Sequence, residues 1–467
     1  MAKQVITSDQ LYPVYGPYSH AVRAGDFIFL HGTVGFDPQG RLPGDTPGRA
    51  DMVRQCEQTI ANMATALQLL GGGLQDVVKV RAFLPQHCRP ARVGQQSFDE
   101  TFEEVYGQHF QEPRPARAAL QQGLFQEDLL VEIEAMAVVN QPKRLIVSDA
   151  LPPLRRPYAQ GGILVGNLLF LRGFTSQDQH SDLVGRGDMR AQTAQTFANM
   201  AITLQEAGGS LANLAQTQVT LTDWHTYQEY NEIYSRHVQA PFPTNSTFQG
   251  GLGREGLLIE IESIAALSTP RLSIDSAFTP VGQARQERQP DVIYSDKLTP
   301  QLARSHGVRV GDLMFIGGHA SIDAQGRLVG AGDIRAQTRH ILSTLETILT
   351  LAGLALHDVV KTTVMLTDWR HYAAYNEVYR AFFTAPYPAR STVSGSLGMP
   401  GALIEIEAIA MAGGYTRLAN RSGVIVSRTI AGKKVSHTLD VRLTNNDAEK
   451  PFEILPEDTI TIPERIF

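Results

Sequence analysis

Three acid pairs, each following a proline-led tripeptide, are the part of this sequence best suited to chemistry. Val131-Glu132-Ile133-Glu134, Ile259-Glu260-Ile261-Glu262 and Ile404-Glu405-Ile406-Glu407 each end a hydrophobic run. Upstream stand Pro115-Ala116-Arg117, Pro243-Thr244-Asn245 and Pro388-Ala389-Arg390, whose third residues precede the first glutamates by the same fifteen positions. A strand sends residues i and i+2 to one face, so each glutamate pair points one way. Where that face is closed off from water, a carboxyl group holds its proton to higher pH and becomes usable for acid–base work. Arg117 or Arg390 on the neighbouring strand offers a planar fork of donors matched to a carboxylate. The alternatives are a solvated acidic face and a plain Arg–Glu ion pair. In the middle copy Asn245 replaces the arginine, so Glu260 is expected to lack a carboxylate anchor.

The elements that must position these residues also recur three times. Each copy has a strand entered through Gly25-Asp26, Gly166-Asn167 or Gly311-Asp312 and followed by Gly32, Gly173 or Gly318. A long helix led by Asp51, Asp188 or Asp333 comes next, each an N-cap or first-turn acid. In the first helix Met52, Cys56, Ile60, Met63, Leu67 and Leu70 form one apolar stripe, as expected of a helix covering a sheet. Glycines then break the helix and cap its C-terminus. A second strand, a second helix and two closing strands follow. The unit reads β-β-α-β-α-β-β, an α+β layer with both helices on one sheet face. Three copies can bury their bare faces against one another around a pseudo-threefold axis, imitating a homotrimer.

Composition narrows the function classes. The 467 residues suit three domains of roughly 130–140 residues plus extras. A net charge of −6 without a basic cluster argues against nucleic acid. No run is long enough to span a bilayer, and two cysteines suggest neither a disulfide framework nor a metal cluster, which makes a cytoplasmic setting the expectation. His31, His180, His306 and His319 lack metal-ligand spacing and read as surface or packing residues. No nucleophile elbow, P-loop or dinucleotide fingerprint stands in the right context.

Pro388-Ala389-Arg390-Ser391 with Ile404-Glu405-Ile406-Glu407-Ala408-Ile409-Ala410 resembles the closing signature of the RidA (YjgF-type) enamine/imine deaminases. Gly16-Pro17-Tyr18 and Asn376-Glu377-Val378-Tyr379 resemble that family too. The organisation this implies is a first repeat over 1–141, a second over 142–270, a linker over 271–290, a third repeat over 291–413 and a β-rich tail over 414–467. The resemblance implies a chorismate-mutase-like fold and clefts between neighbouring copies. It also implies cofactor-free hydrolysis of small 2-imino or 2-enamino acids to 2-oxo acids and ammonia. By position, Arg117 and Arg390 would hold the substrate carboxylate and Glu132 and Glu405 would move protons. Tyr18 and Tyr158 would line the clefts from the adjoining copy, and Gly32 and Gly318 would help hold the carboxylate.

Two departures fall at matched places. Asn245 replaces an arginine, and Arg304 stands where copies one and two have Tyr18 and Tyr158. If each cleft joins the arginine side of one copy to the tyrosine side of the next, the clefts are Arg117 with Tyr158, Asn245 with Arg304, and Arg390 with Tyr18. The opposite circulation leaves only Arg390 with Tyr158 complete. We adopt the first, because it places both oddities in one cleft.

The tail, with Val424-Ile425-Val426-Ser427-Arg428 and Leu455-Pro456-Glu457-Asp458, resembles the end of the soluble-ligand-binding β-grasp modules of polysaccharide export proteins. A hairpin that covers a repeat or mediates dimerisation of the monomeric pseudo-trimer is the alternative. The competing function is a non-catalytic binder of small carboxylates using the tail for partner contacts. Ribonuclease activity ranks third, given the acidic balance.

Overall fold

Each copy builds its sheet around the strand that ends it. In the computed structural model copy three has the order Asp291–Ile293, Gly307–Val310, Leu313–Ala320, Ile404–Met411, Val359–Leu366, Ala389–Ser394. The last strand in sequence, Ile404–Met411, lies in the middle, antiparallel to both neighbours. Val359–Leu366 and Ala389–Ser394 run parallel, with helix Tyr372–Phe382 as their crossover. Copies one and two repeat this order. The residues described are 3–43, 49–85, 98–153, 158–267, 291–295, 298, 303–412, 424–430, 433–439 and 459–461. The expected linker over 271–290 lies outside them.

The sequence reading missed one element per copy. Gln4–Ile6, Lys143–Ile146 and Asp291–Ile293 pair onto the outer edge of each hairpin. Strands of three or four residues are too short for two-residue alternation to show.

The helices are placed by their ends and their apolar stripes. Asp188 accepts from the Ala191 amide, Asp333 from those of Arg335 and Ala336, and Asp51 sits in the first turn of Arg49–Leu69. Gly71, Gly208 and Gly353 close the long helices at φ of +74°, +87° and +72°, a region that favours glycine. In copy three Ile341, Leu345 and Ile348 pack on Ile404, Ile406 and Ala408. Ile404 and Ile406 thus face the helices, and the glutamates between them face the other way. No helix among the described residues is long and apolar enough to cross a membrane.

The opposite sheet faces meet in a core shared by all three copies, including Phe29, Phe170 and Phe315 with Val78, Ala215 and Val360. Backbone bonds stitch the seams: Ala159 N–H to Pro115 O at 3.2 Å, Ser305 to Pro243 at 3.0 Å, and Ser19 to Pro388 at 3.2 Å. Copy one therefore meets copy two, two meets three, and three returns to one. This closed ring has the first of the two circulations considered above. Separately, the tail strands Val424–Ile430, Lys433–Leu439 and Thr459–Thr461 form a three-stranded antiparallel sheet. The tail residues 455–458, which carry part of the β-grasp resemblance, lie outside the described residues.

Candidate functional site

At the third seam, between copies three and one, Arg390 is buried in an aromatic box. Its guanidinium carbon lies 5.1 Å from the ring centre of Tyr18 and 5.0 Å from those of Tyr375 and Tyr379. Nη2 donates to the Tyr372 hydroxyl at 3.1 Å, while Nη1 is buried with no hydrogen-bond partner. No carboxylate pairs with Arg390 among the described residues. The acid facing this seam is Glu132 of copy one. The copy-one strand carrying Gly32 is tied to Arg390, because the Gly32 amide donates to the Arg390 carbonyl at 3.2 Å. A Cβ on Gly32 would stand 1.8 Å from Glu132 Oε1. Burial, reinforced by Glu134 and opposed by Lys361, pushes Glu132 up to about 8.

The first seam, between copies one and two, repeats the plan with different partners. Arg117 stacks 5.0 Å from the Tyr158 ring centre and 4.9 Å from that of Tyr106, and its Nη2 pairs with Glu103. Its Nε and Nη1 are buried without partners. The facing acid is Glu260 of copy two, which lines the same cavity of about 140 Å³. Burial and Glu262 push Glu260 up to about 8 against the pull of Arg172 and Arg117. A Cβ on Gly173 would stand 2.0 Å from Glu260 Oε1.

Three expectations are corrected here. Arginine and glutamate of one copy do not share a site, because they open onto different seams. Glu260 shares its cavity with Arg117, and Glu405 does not face Arg390. The glycines also act differently: Gly32, Gly173 and Gly318 leave room for a glutamate side chain. The amides of Gly32 and Gly318 are spent across the seams, on the Arg390 carbonyl and on Ser246 Oγ at 2.8 Å, rather than offered to a substrate. From the sequence alone, Glu260, Glu103 and Arg172 were not singled out as site residues, yet all three line the first-seam cavity. Aligning the copies on their glycines would have exposed Arg172, which occupies the position of His31.

The second seam, between copies two and three, is differently built. A Cβ on Gly318 would stand 2.0 Å from Glu405 Oε1 and 3.2 Å from the Ser246 Cβ, so Glu405 faces copy two. Burial pushes Glu405 up to about 8, with Arg304 pulling the other way. The cation has thus moved to the opposite wall, beside the acid. Stacked His306 and His319, 5.5 Å apart, are buried neutral, pushed down to about 4 and about 3 mainly by burial. Asn245 Nδ2 donates to Thr217 Oγ1 at 2.9 Å and to the Tyr230 hydroxyl at 3.1 Å, and its Oδ1 accepts from Thr247 at 2.7 Å. Asn245 is therefore a packing residue. Its replacement by alanine is expected to lower stability by about 1–2 kcal/mol in urea unfolding. A stability equal to that of the wild type would contradict that role.

The second glutamates turn inward to the pseudo-threefold axis. Arg81 of copy one reaches all three: Glu134 at 3.1 Å, Glu262 at 2.5 Å and Glu407 at 3.7 Å. Lys361 pairs with Glu134 at 2.8 Å, Lys79 with Glu262, and Gln218 donates to Glu407 at 2.5 Å. Burial opposes ionisation of Glu134, yet Lys361 and Arg81 hold it down at about 2. Three carboxylates meet three cations, although the cations come from only two copies.

A ring of three chorismate-mutase-like modules, with an arginine, a tyrosine and a buried acid converging at two of its seams, defines a class of small-molecule-binding α+β protein whose sites lie between modules. The family model described as Endoribonuclease L-PSP matches residues 9–139, 149–267 and 295–412. The chain therefore belongs to the RidA (YjgF-type) family, with three tandem copies of its module. It is 42% identical over 106 residues to a RutC family protein of Pyrococcus horikoshii, covering 23% of this chain and 84% of the relative. Among solved structures it is 34% identical to RidA from a Psychrobacter species, covering 26% of this chain and 98% of that one, with a TM-score of 0.24. It is 32% identical to TdcF of E. coli with bound serine, with coverage of 26% and 98% and a TM-score of 0.25.

Proposed function

We propose that the chain hydrolyses small 2-imino and 2-enamino acids to 2-oxo acids and ammonia at its first and third seams. One observation carries this reading. At each of these seams a buried guanidinium with unpartnered donors faces a carboxyl group held protonated at neutral pH. Arg117 or Arg390 grips the substrate carboxylate. Glu260 or Glu132 gives its proton to the enamine carbon or the imine nitrogen. The carboxylate so formed takes a proton from water as the water oxygen attacks C2, this proton then goes to the nitrogen as the C–N bond breaks, and the carboxylate takes the proton of the C2 hydroxyl as the C=O bond forms. The products are the 2-oxo acid and ammonia, and the acid is regenerated. A binder needs the arginine but not the buried acid, and the pairing of both at two seams favours the enzyme.

The test is ammonia release from a freshly generated 2-imino acid, followed against pH. The rate above that in water is expected to hold through neutral pH. Above about 8, where Glu132 and Glu260 ionise, kcat/KM is expected to fall about tenfold per pH unit. Glu132→Gln combined with Glu260→Gln should remove the activity, and a rate equal to wild type would refute the mechanism. The sign for stability follows from the same shift. Carboxyl groups raised from 4.5 to about 8 contribute stability that is full below pH 4.5 and is lost as pH rises toward about 8.

A further inference from the structure

The two arginine-bearing seams share their reacting groups but not the walls beyond them. In the first seam the cavity beside Arg117 and Glu260 is also lined by Arg172, Gln177, Gly253 and Arg254. Aligned on the glycines after the first strand, and counted back from the first glutamates, these positions are His31, Phe36, Phe125 and Gln126 in the third seam. One wall is cationic and amide-lined, whereas the other carries two aromatic rings.

The charge balance differs accordingly. Three guanidiniums line the first cavity against the single carboxylate of Glu103, because Glu260 is uncharged at neutral pH. Arg172 spends two donors on backbone, Nε on the Gln160 carbonyl at 2.5 Å and Nη1 on that of Gly173 at 2.8 Å. A guanidinium has five N–H donors, so three remain. Its carbon lies 5.6 Å from the Tyr158 ring centre, and that ring is shared with Arg117. A ligand with one carboxylate leaves an unneutralised positive charge in this cavity, and a second carboxylate removes it. The cavity also shares Gln121, Arg254 and Leu257 with a wider polar mouth of about 930 Å³, where a charged side chain can shed its water gradually.

The third seam has Arg390 as its single seam guanidinium among the described residues. His31 there is held neutral by burial, with His20 and Lys361 adding to the effect. Beyond it lies an aromatic cluster: Tyr15 to Phe36 at 5.9 Å, Phe36 to Phe125 at 6.1 Å, and Phe125 to Trp369 of copy three at 6.3 Å. The cluster adjoins the cleft, since the Tyr15 amide donates to the Tyr18 hydroxyl at 3.3 Å. Tyr15 is 47% exposed and stands at the solvent end of this cluster. Such a wall favours an apolar or aromatic side chain and disfavours a second charge, whose desolvation the rings do not offset.

We propose that the two seams have divided the substrates. The first takes acids with a second carboxylate on the side chain, with Arg172 as the specificity-determining residue, and the third takes acids with apolar or aromatic side chains. This assignment rests on the proposed reaction for its turnover but not for its binding preference.

The experiment uses the full chain with one seam silenced at a time. Arg390→Ala leaves the first seam intact, and Arg117→Ala leaves the third. Titration calorimetry with 2-oxoglutarate and phenylpyruvate, the product-type acids, reads binding. Ammonia release from imines freshly made from glutamate and phenylalanine reads turnover. Arg390→Ala should bind 2-oxoglutarate at least tenfold tighter than phenylpyruvate, and Arg117→Ala should show the reverse order. Adding Arg172→His, which installs the third-seam residue, should cut the 2-oxoglutarate preference about tenfold, with the melting temperature checking the fold. The same acid preferred by both silenced variants, or neither acid bound, overturns the proposal. Binding preferences as expected without any imine turnover would leave this division standing and remove the deaminase reading. Turnover without a preference would do the opposite.

Discussion

Truncating Arg117 and Arg390 together is expected to cut kcat/KM for 2-imino acids by at least about 10²-fold, while either change alone removes only the share of its own seam. Two hydrogen bonds to a charged carboxylate contribute on the order of 3 kcal/mol between them, and each ~1.4 kcal/mol is tenfold in rate. The loss is this large because each fork is held in place by its aromatic neighbours with donors free for a carboxylate. Arg390 has no carboxylate partner among the described residues, and Arg117 keeps Nε and Nη1 unpaired. The single variants stay active because the seams are independent sites running in parallel. On a substrate that both seams accept, the seam left intact sets the residual rate. Initial rates of ammonia release for the wild type, both singles and the double decide the matter. A double variant no slower than the singles would mean that neither arginine holds the substrate.

The largest effect on stability is expected at Arg81. Its replacement by alanine should cost at least about 3–5 kcal/mol, the range for removing one partner from a buried ion pair. Here one guanidinium serves three carboxylates, all 6% exposed or less. Gln218→Ala, at the corresponding position in copy two, removes one bond to Glu407 and should cost about 1 kcal/mol. Urea unfolding at pH 7 makes the comparison. The pH dependence provides a second readout. Glu134 is held at about 2, below its ordinary 4.5, so in the wild type its contribution is present above pH 4.5 and is lost as pH falls toward 2. That acid-side loss should shrink in Arg81→Ala. Equal stabilities for wild type and Arg81→Ala would mean that the axial carboxylates do not depend on their common cation.

This hub bears on why the copies are joined. In a ring of identical chains every copy would bring the same residues to the axis. In the tandem chain Lys79, Arg81 and Lys361 supply the positive charge at the axis among the described residues, and copy two contributes the neutral Gln216 and Gln218 at matching positions. The division of the seams follows the same logic, because covalent linkage lets each interface change separately.

The amino-acid sequence by itself determined the repeats and most of the element types, and it marked the arginines and glutamates as candidates for chemistry. Those features are local. A helix shows in its apolar stripe and capping acid, and Glu405 and Glu407 share a face because a strand alternates with period two. The fifteen-residue spacing from Arg117 to Glu132 was equally plain, yet it misled, because it suggested that arginine and glutamate of one copy act together. Only the tertiary structure decided that Arg117 shares a seam with Glu260 and Arg390 a seam with Glu132. A seam is formed by two sheet edges that no sequence distance relates, and its partners follow from the hand in which the ring closes. The same holds for Arg81, whose reach to three carboxylates exists only at an axis that all three copies create, and for Asn245, whose packing role rests on hydroxyls brought in by the neighbouring strand and helix.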